Sequence, residues 1–230
     1  MEYGVAGIPS LFRIALAGGA LMLTAAGNVA PLEDQVLERI NQVRQDPAGY
    51  ADRLRGLRRH FVGNALYAPE QPSGVMTREG LRAIDDAIAF LERQRPLPPL
   101  DRGTLLDLAA QDHVADQGPL GARGHVSPDG ATPADRVRRR GGGTLVGESI
   151  SYGYADAEAV VRQLVVDDGV PDRSHRLLLF NQELRYAGIG CGAHRRYGHM
   201  CVIDVSRTRN GRSVYATLAQ NDMPRGDKAP

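Results

Sequence analysis

Two histidines and a few carboxylates carry the chemistry this chain can offer. His125 stands in GHVSPDG, Glu148 in GES, and His175 follows DDGVPDRS, the stretch that also holds Asp167 and Asp168. Neutral imidazoles and carboxylates brought to one point bind a divalent metal such as zinc, or share a proton in acid and base work. The two histidines lie far outside the spacing of an HExxH helix, so only the fold can unite them. For an enzyme, the catalytic candidates are His125, Glu148 and His175; for a metal site, Asp167 and Asp168 join them.

The elements that must position these residues are partly readable. Gly118, Gly121 and Gly124 loosen the chain ahead of His125 and put that imidazole on a turn. Ser127 to Gly130 is a turn signal, and Pro133 to Arg140 reads as a short, exposed, basic helix stopped by three glycines. Glu148 is an acid within a short apolar run, hence paired, hydrogen-bonded or functional; the functional reading is preferred. Asp156 caps a helix with Val160, Val161, Leu164 and Val165 as its core stripe. Asp167 and Asp168 then stand at its C-terminal end, where the dipole disfavours anions and Arg173, Arg176, a metal or solvent must compensate. A further helix begins at Thr104, with Leu105, Leu108, Ala109 and Val114 as its expected buried face. His113 lies on it and reads as making a local hydrogen bond, with membership of the metal site as the alternative.

The rest of the chain supplies a scaffold. Val36, Leu37, Ile40 and Val43 mark one helix over Leu32 to Arg44, and Asp46 with Pro47 opens a second toward Leu57. His60 to Val75 reads as loop; Thr77 then caps a helix striped by Leu81, Ile84, Ile88 and Leu91. Tyr186 to Ala193, His199 to Ser206 and Ser213 to Gln220 alternate as three strands of a meander, and His194 and His199 at its first turn read as solvated. Cys191 and Cys201 flank that turn. They can face each other as a cross-strand disulfide in an oxidising compartment, or remain two buried thiols.

With 28 basic and 27 acidic residues, the chain has no general attraction for nucleic acid or anionic membrane. Arg55, Arg58 and Arg59, and Arg138 to Arg140, read as solvated helix faces. Residues 1–30 read as a signal peptide or leader: Arg13, the apolar run Ile14 to Thr24, then Ala25, Ala26 and Gly27. The run is too short to span a bilayer comfortably, so no integral span is expected after leader cleavage and the chain is expected to be secreted or periplasmic. A single domain over 31–221 and a disordered tail over 222–230 complete the division.

Several of these motifs occur in an order that resembles the CAP superfamily, the group of cysteine-rich secretory proteins, antigens and pathogenesis-related proteins. The resemblance runs from about Val36 to Gln220: INQVRQDP, LDLAAQDHVADQ, GHVSPDG, a Pro-Ala-Asp-Arg stretch, GESI, SHR, and GIGCGAH with MCVIDV. It implies an α+β fold, a three-layer α-β-α sandwich around an antiparallel sheet of about three strands. It also implies a cavity of two histidines and two acids, carried here by His125, Glu148 and His175, with Asp167 or Asp168 in the fourth place. The implied cofactor is a divalent metal, zinc foremost, and the implied partner a small hydrophobic or cell-envelope ligand. A binding module is the leading expectation, with a metal-dependent hydrolase or an interaction protein with a vestigial cleft as alternatives. The chain departs from the family pattern with Ser149 where asparagine is common, and with no tryptophan.

Overall fold

The structure is a computed structural model that describes residues 30–213. The expected leader and tail, and all but the first residue of the strand expected over Ser213 to Gln220, lie outside the described residues. Helix α1 (Leu32–Gln45) buries Val36, Ile40 and Val43 as their spacing requires. Asp46 caps α2 (Pro47–Leu57) by accepting from the Gly49 amide, with proline at the first helical position. The stretch expected as loop instead forms a small antiparallel sheet, β1 (Phe61–Val62), β2 (Ala65–Leu66) and β3 (Val75–Met76). Strands of two residues leave no periodicity to read. Helix α3 (Leu81–Arg93) starts after Gly80 and not at Thr77, whose hydroxyl donates to the Asn64 carbonyl.

A short β4 (Asp101–Arg102) leads into α4 (Thr104–Gln117), followed by α5 (Pro133–Arg139), β5 (Gly147–Tyr152), α6 (Ala157–Val166), α7 (Ser174–Leu179), β6 (Tyr186–His194) and β7 (Gly198–Ser206). The main sheet has the order β4-β6-β7-β5, antiparallel except for β4 beside β6. Its third antiparallel strand is thus β5, the strand of Glu148. Period-two alternation splits the sheet's side chains between two helical layers. Ala187, Ile189, Cys191, Cys201, Ile203 and Val205 join the core built on α1, α2, α3 and α6. Ile150, Met200 and Val202 face the other way, against Ala110 and Val114 of α4. Helix α4 lies close on that face because β6 offers it glycine: a Cβ at Gly188 or Gly190 would stand 2.1 Å or 2.6 Å from the α4 backbone. The result is the α-β-α sandwich.

Two expected faces are turned. Helix α4 buries Leu106, Ala109, Ala110, His113, Val114 and Gln117, while Leu108 is exposed. Counting only apolar residues misplaced that face, because two of its buried positions are hydrogen-bonding side chains. Helix α5 is not simply exposed: Arg136 and Val137 are buried, while Arg138, Arg139 and Arg140 pair with Asp135, Asp129 and Asp112 at the surface.

Cys191 and Cys201 are opposed in the β6–β7 register and form a disulfide. Free-thiol titration under denaturing conditions without reductant is therefore expected to find no thiol. Reduction is expected to cost about 2–3 kcal/mol, the loop-closure value for so short a loop, read as a lower urea midpoint.

Candidate functional site

His125 lies on the loop between α4 and α5, and that loop is pinned from three sides. His113 donates through Nε2–H to the Gly124 carbonyl (2.9 Å), and the Gln117 amide donates to the same oxygen (2.6 Å). Tyr152 accepts from the Gly124 amide (3.1 Å) while its hydroxyl donates to Gln117 (2.8 Å). Arg136 reaches up from α5 to the His125 and Ala131 carbonyls (3.0 and 3.1 Å). His113 thus fills the structural role its position suggested, and burial holds its pKa below the ordinary histidine value. Its neutral Nδ1 faces Ser127 Oγ at 3.0 Å.

The His125 ring donates through Nδ1–H to Glu148 Oε1 at 2.8 Å, since a carboxylate can only accept. Glu148 Oε2 pairs with Arg136, and both of these side chains are 1% exposed while the His125 ring is about half exposed. The bond from Glu148 raises the His125 pKa above the ordinary value, against the opposing effect of burial.

His175 is fixed by the same principle through different parts. Asp167 ends α6 in the left-handed region (φ 57°) and is buried. One of its oxygens accepts from His175 Nδ1–H (2.6 Å), the other from the backbone amides of His175 (2.9 Å) and Arg176 (3.2 Å) at the start of α7. The anion that burdens one helix end therefore serves the next helix's beginning. Arg176 caps the α6 carbonyls of Val165 and Val166, and Arg173 binds the Asp167 carbonyl. Asp168 turns away to accept from the amides of Arg78 and Glu79 (2.7 and 2.8 Å). Glu79 pairs in turn with Arg173, which with the Gly169 amide holds its pKa at about 2.

Both imidazoles line one cavity of about 440 Å³, together with Arg78, Arg123, Tyr152 and Asp168. Its walls come from both helical layers and from β5, an edge strand of the sheet. Among the described residues, no protein group bonds Nε2 of either ring, and no carboxylate pairs with Arg78 or Arg123.

The sequence profile of the cysteine-rich secretory protein family, CAP, matches residues 37–205. This chain belongs to that family. No curated protein matches it. It is similar to an extracellular protein containing a SCP domain from Bacillus anthracis str. Ames, whose crystal structure was solved at 1.5 Å resolution. The identity is 22% and the TM-score 0.42, over 59% of this chain and 45% of that one.

In this CAP protein the acids expected as metal ligands are committed elsewhere. Glu148 and Asp167 serve the Nδ1 atoms of the histidines and Asp168 serves two backbone amides. Among the described residues no three His, Cys, Asp or Glu side chains gather around a point that could hold a metal. What remains is a pair of imidazole Nε2 atoms with acid-supported rings, the outer arrangement common to metal-ligating histidines. Two donors fall short of the three protein ligands of a catalytic zinc site and fit only an open, water-completed ion. Arg136, Tyr152 and Gln117 escaped the sequence reading; the Thr132 to Asp135 capping box, which fixes the α5 start and so the phase of Arg136, was the available signal.

The raised pKa yields a measurable consequence. In an NMR titration the His125 midpoint is expected above that of a free histidine, and Glu148→Gln is expected to bring it below the wild-type value. Because the folded value is the raised one, protonated His125 adds stability that is full below about pH 6.5 and fades as pH rises through the folded midpoint. A wild-type midpoint at or below that of the Glu148→Gln variant would contradict the pairing.

Proposed function

We propose that this CAP protein is an exported binding module whose cleft at the β5 edge holds a small or lipid-like ligand with an anionic head. The observation that carries the reading is the pair of histidines, supplied by opposite layers to one cavity, each with Nδ1 tied to a buried acid. Tied in this way, each ring turns the lone pair of Nε2 to whatever enters. The cavity's size falls within the range of small-molecule sites, roughly 300–1,000 Å³. Arg78 and Arg123, without carboxylate partners, favour an anion, and a neighbouring hollow of about 190 Å³ lined by Phe61, Leu66, Val75, Ile84 and Val166 suits an aliphatic part. The two hollows share Arg78, Gln163 and Asp168. A divalent ion has a place here as a bridge between the two Nε2 atoms and the head, where it would supply positive charge. The disulfide supports export, because such bonds persist in oxidising compartments.

Binding is favoured over hydrolysis because Glu148 is buried with both oxygens engaged, so it does not reach a water in the cleft.

Calorimetric titration with a medium-chain fatty acid tests the reading. Binding is expected to weaken about tenfold or more in Arg78→Gln and in His175→Ala, the scale of one lost hydrogen bond to a charged group. Added zinc is expected to strengthen wild-type binding and to have no effect when both histidines are alanine. Equal affinity in wild type and both single variants would place the ligand elsewhere.

A further inference from the structure

Behind the His125–Glu148 pair lies a second acid that nothing in the cleft uses. Asp204 of β7 is fully buried, and in the sheet register it stands directly opposite Glu148 on β5 and Gly188 on β6. Its side chain points to the α4 and α5 layer, as do those of Ile150 and Val202 on the same strands. Neither of its carboxyl oxygens has a hydrogen-bond donor.

The charged and titratable groups around it are few. Glu148 lies across on β5 and Arg136 comes from α5. His113 on α4 is held neutral by burial, and His125 lies beyond Glu148 on its loop. β6 presents only the glycine. An ionised Asp204 would thus be a buried anion without a donor, facing a second anion, with one guanidinium between the two. Two carboxylates cannot bond each other, because each only accepts; one proton turns the repulsion into a hydrogen bond. Burial and the Glu148 charge both push Asp204 well above the ordinary carboxylate range, and Arg136 opposes them.

We infer that Asp204 is a positioning residue for His125: it keeps its proton at neutral pH and donates it to Glu148. Glu148 is then gripped by three donors, Asp204, Arg136 and His125, and presents one fixed oxygen to the imidazole. With Asp204 neutral, the charges of Glu148 and Arg136 cancel, and no net charge is buried beneath the cleft. The inference rests on the His125–Glu148 geometry and is independent of what the cleft binds.

Carboxyl and ring NMR on the full chain, in buffer with a metal chelator, tests it. The Asp204 carboxyl carbon is expected to stay at its protonated position from pH 5 to pH 8, a range roughly above the ordinary aspartate value of ~3.9. Asp204→Asn, which replaces one neutral donor by another, is expected to leave the His125 midpoint where it is in wild type. Asp204→Leu, which fills the space but cannot donate, is expected to raise that midpoint, because Glu148 then turns its full charge on the imidazole. An Asp204 signal already at its ionised position at pH 5 would overturn the inference. So would an Asn variant with a lowered His125 midpoint, as loss of a nearby anion requires, or a Leu variant with an unchanged or lowered one. The carboxyl measurement is made on wild type and stands even if a variant fails to fold.

Discussion

A guanidinium sealed inside the protein holds this site together. Arg136 is 1% exposed, and it joins α5, the His125 loop and β5 through the His125 and Ala131 carbonyls, Ser127 and the Glu148 carboxylate. Its energetic meaning lies less in the attraction of the pair than in the cost of breaking it. A buried pair adds little over apolar packing, whereas a charge stranded without its partner costs on the order of 3–5 kcal/mol. The loop is therefore tied to the sheet by a contact that cannot be given up piecemeal, and an imidazole on a glycine-rich loop gains the fixity of a core residue.

The second histidine reaches a similar state with no arginine on its acid's side chain. Asp167 is satisfied by two backbone amides and the ring of His175, and the strain of its left-handed backbone is offset where Arg173 ties the turn to Glu79. A left-handed conformation at a residue with a Cβ costs roughly 1–2 kcal/mol. Arg173 is itself left-handed, and its bonds to Glu79, Asp86 and the carbonyls of Asp167 and Val170 cover that cost. Two unrelated pieces of local structure thus converge on one chemical result, an imidazole bonded to an acid through Nδ1 and open at Nε2.

What was legible in the sequence was whatever rests on local pattern. The α1, α2 and α6 stripes, the Asp46 and Asp156 caps, the opposed cysteines and the turn before α5 all follow from spacing and turn chemistry. The convergence of His125 and His175 did not follow from spacing and was implied only by the family resemblance. Illegible were the features set by tertiary contact. Leu108 is exposed because α4 spends its inner face on His113 and Gln117. Arg136 looked like one more surface arginine until the Thr132 cap fixed which way α5 turns. The acids looked like ligands for a metal, and proved to be bonded to the histidines themselves or to backbone amides. Nothing in one sequence says which atom a carboxylate will face.

The account stands on the direction in which the two rings are held, and ring-nitrogen NMR of uniformly labelled protein reads that directly. Above the histidine midpoints, His125 and His175 should both show a protonated Nδ1 and a bare Nε2. Either ring carrying its proton on Nε2, or exchanging freely between the two forms, would contradict it.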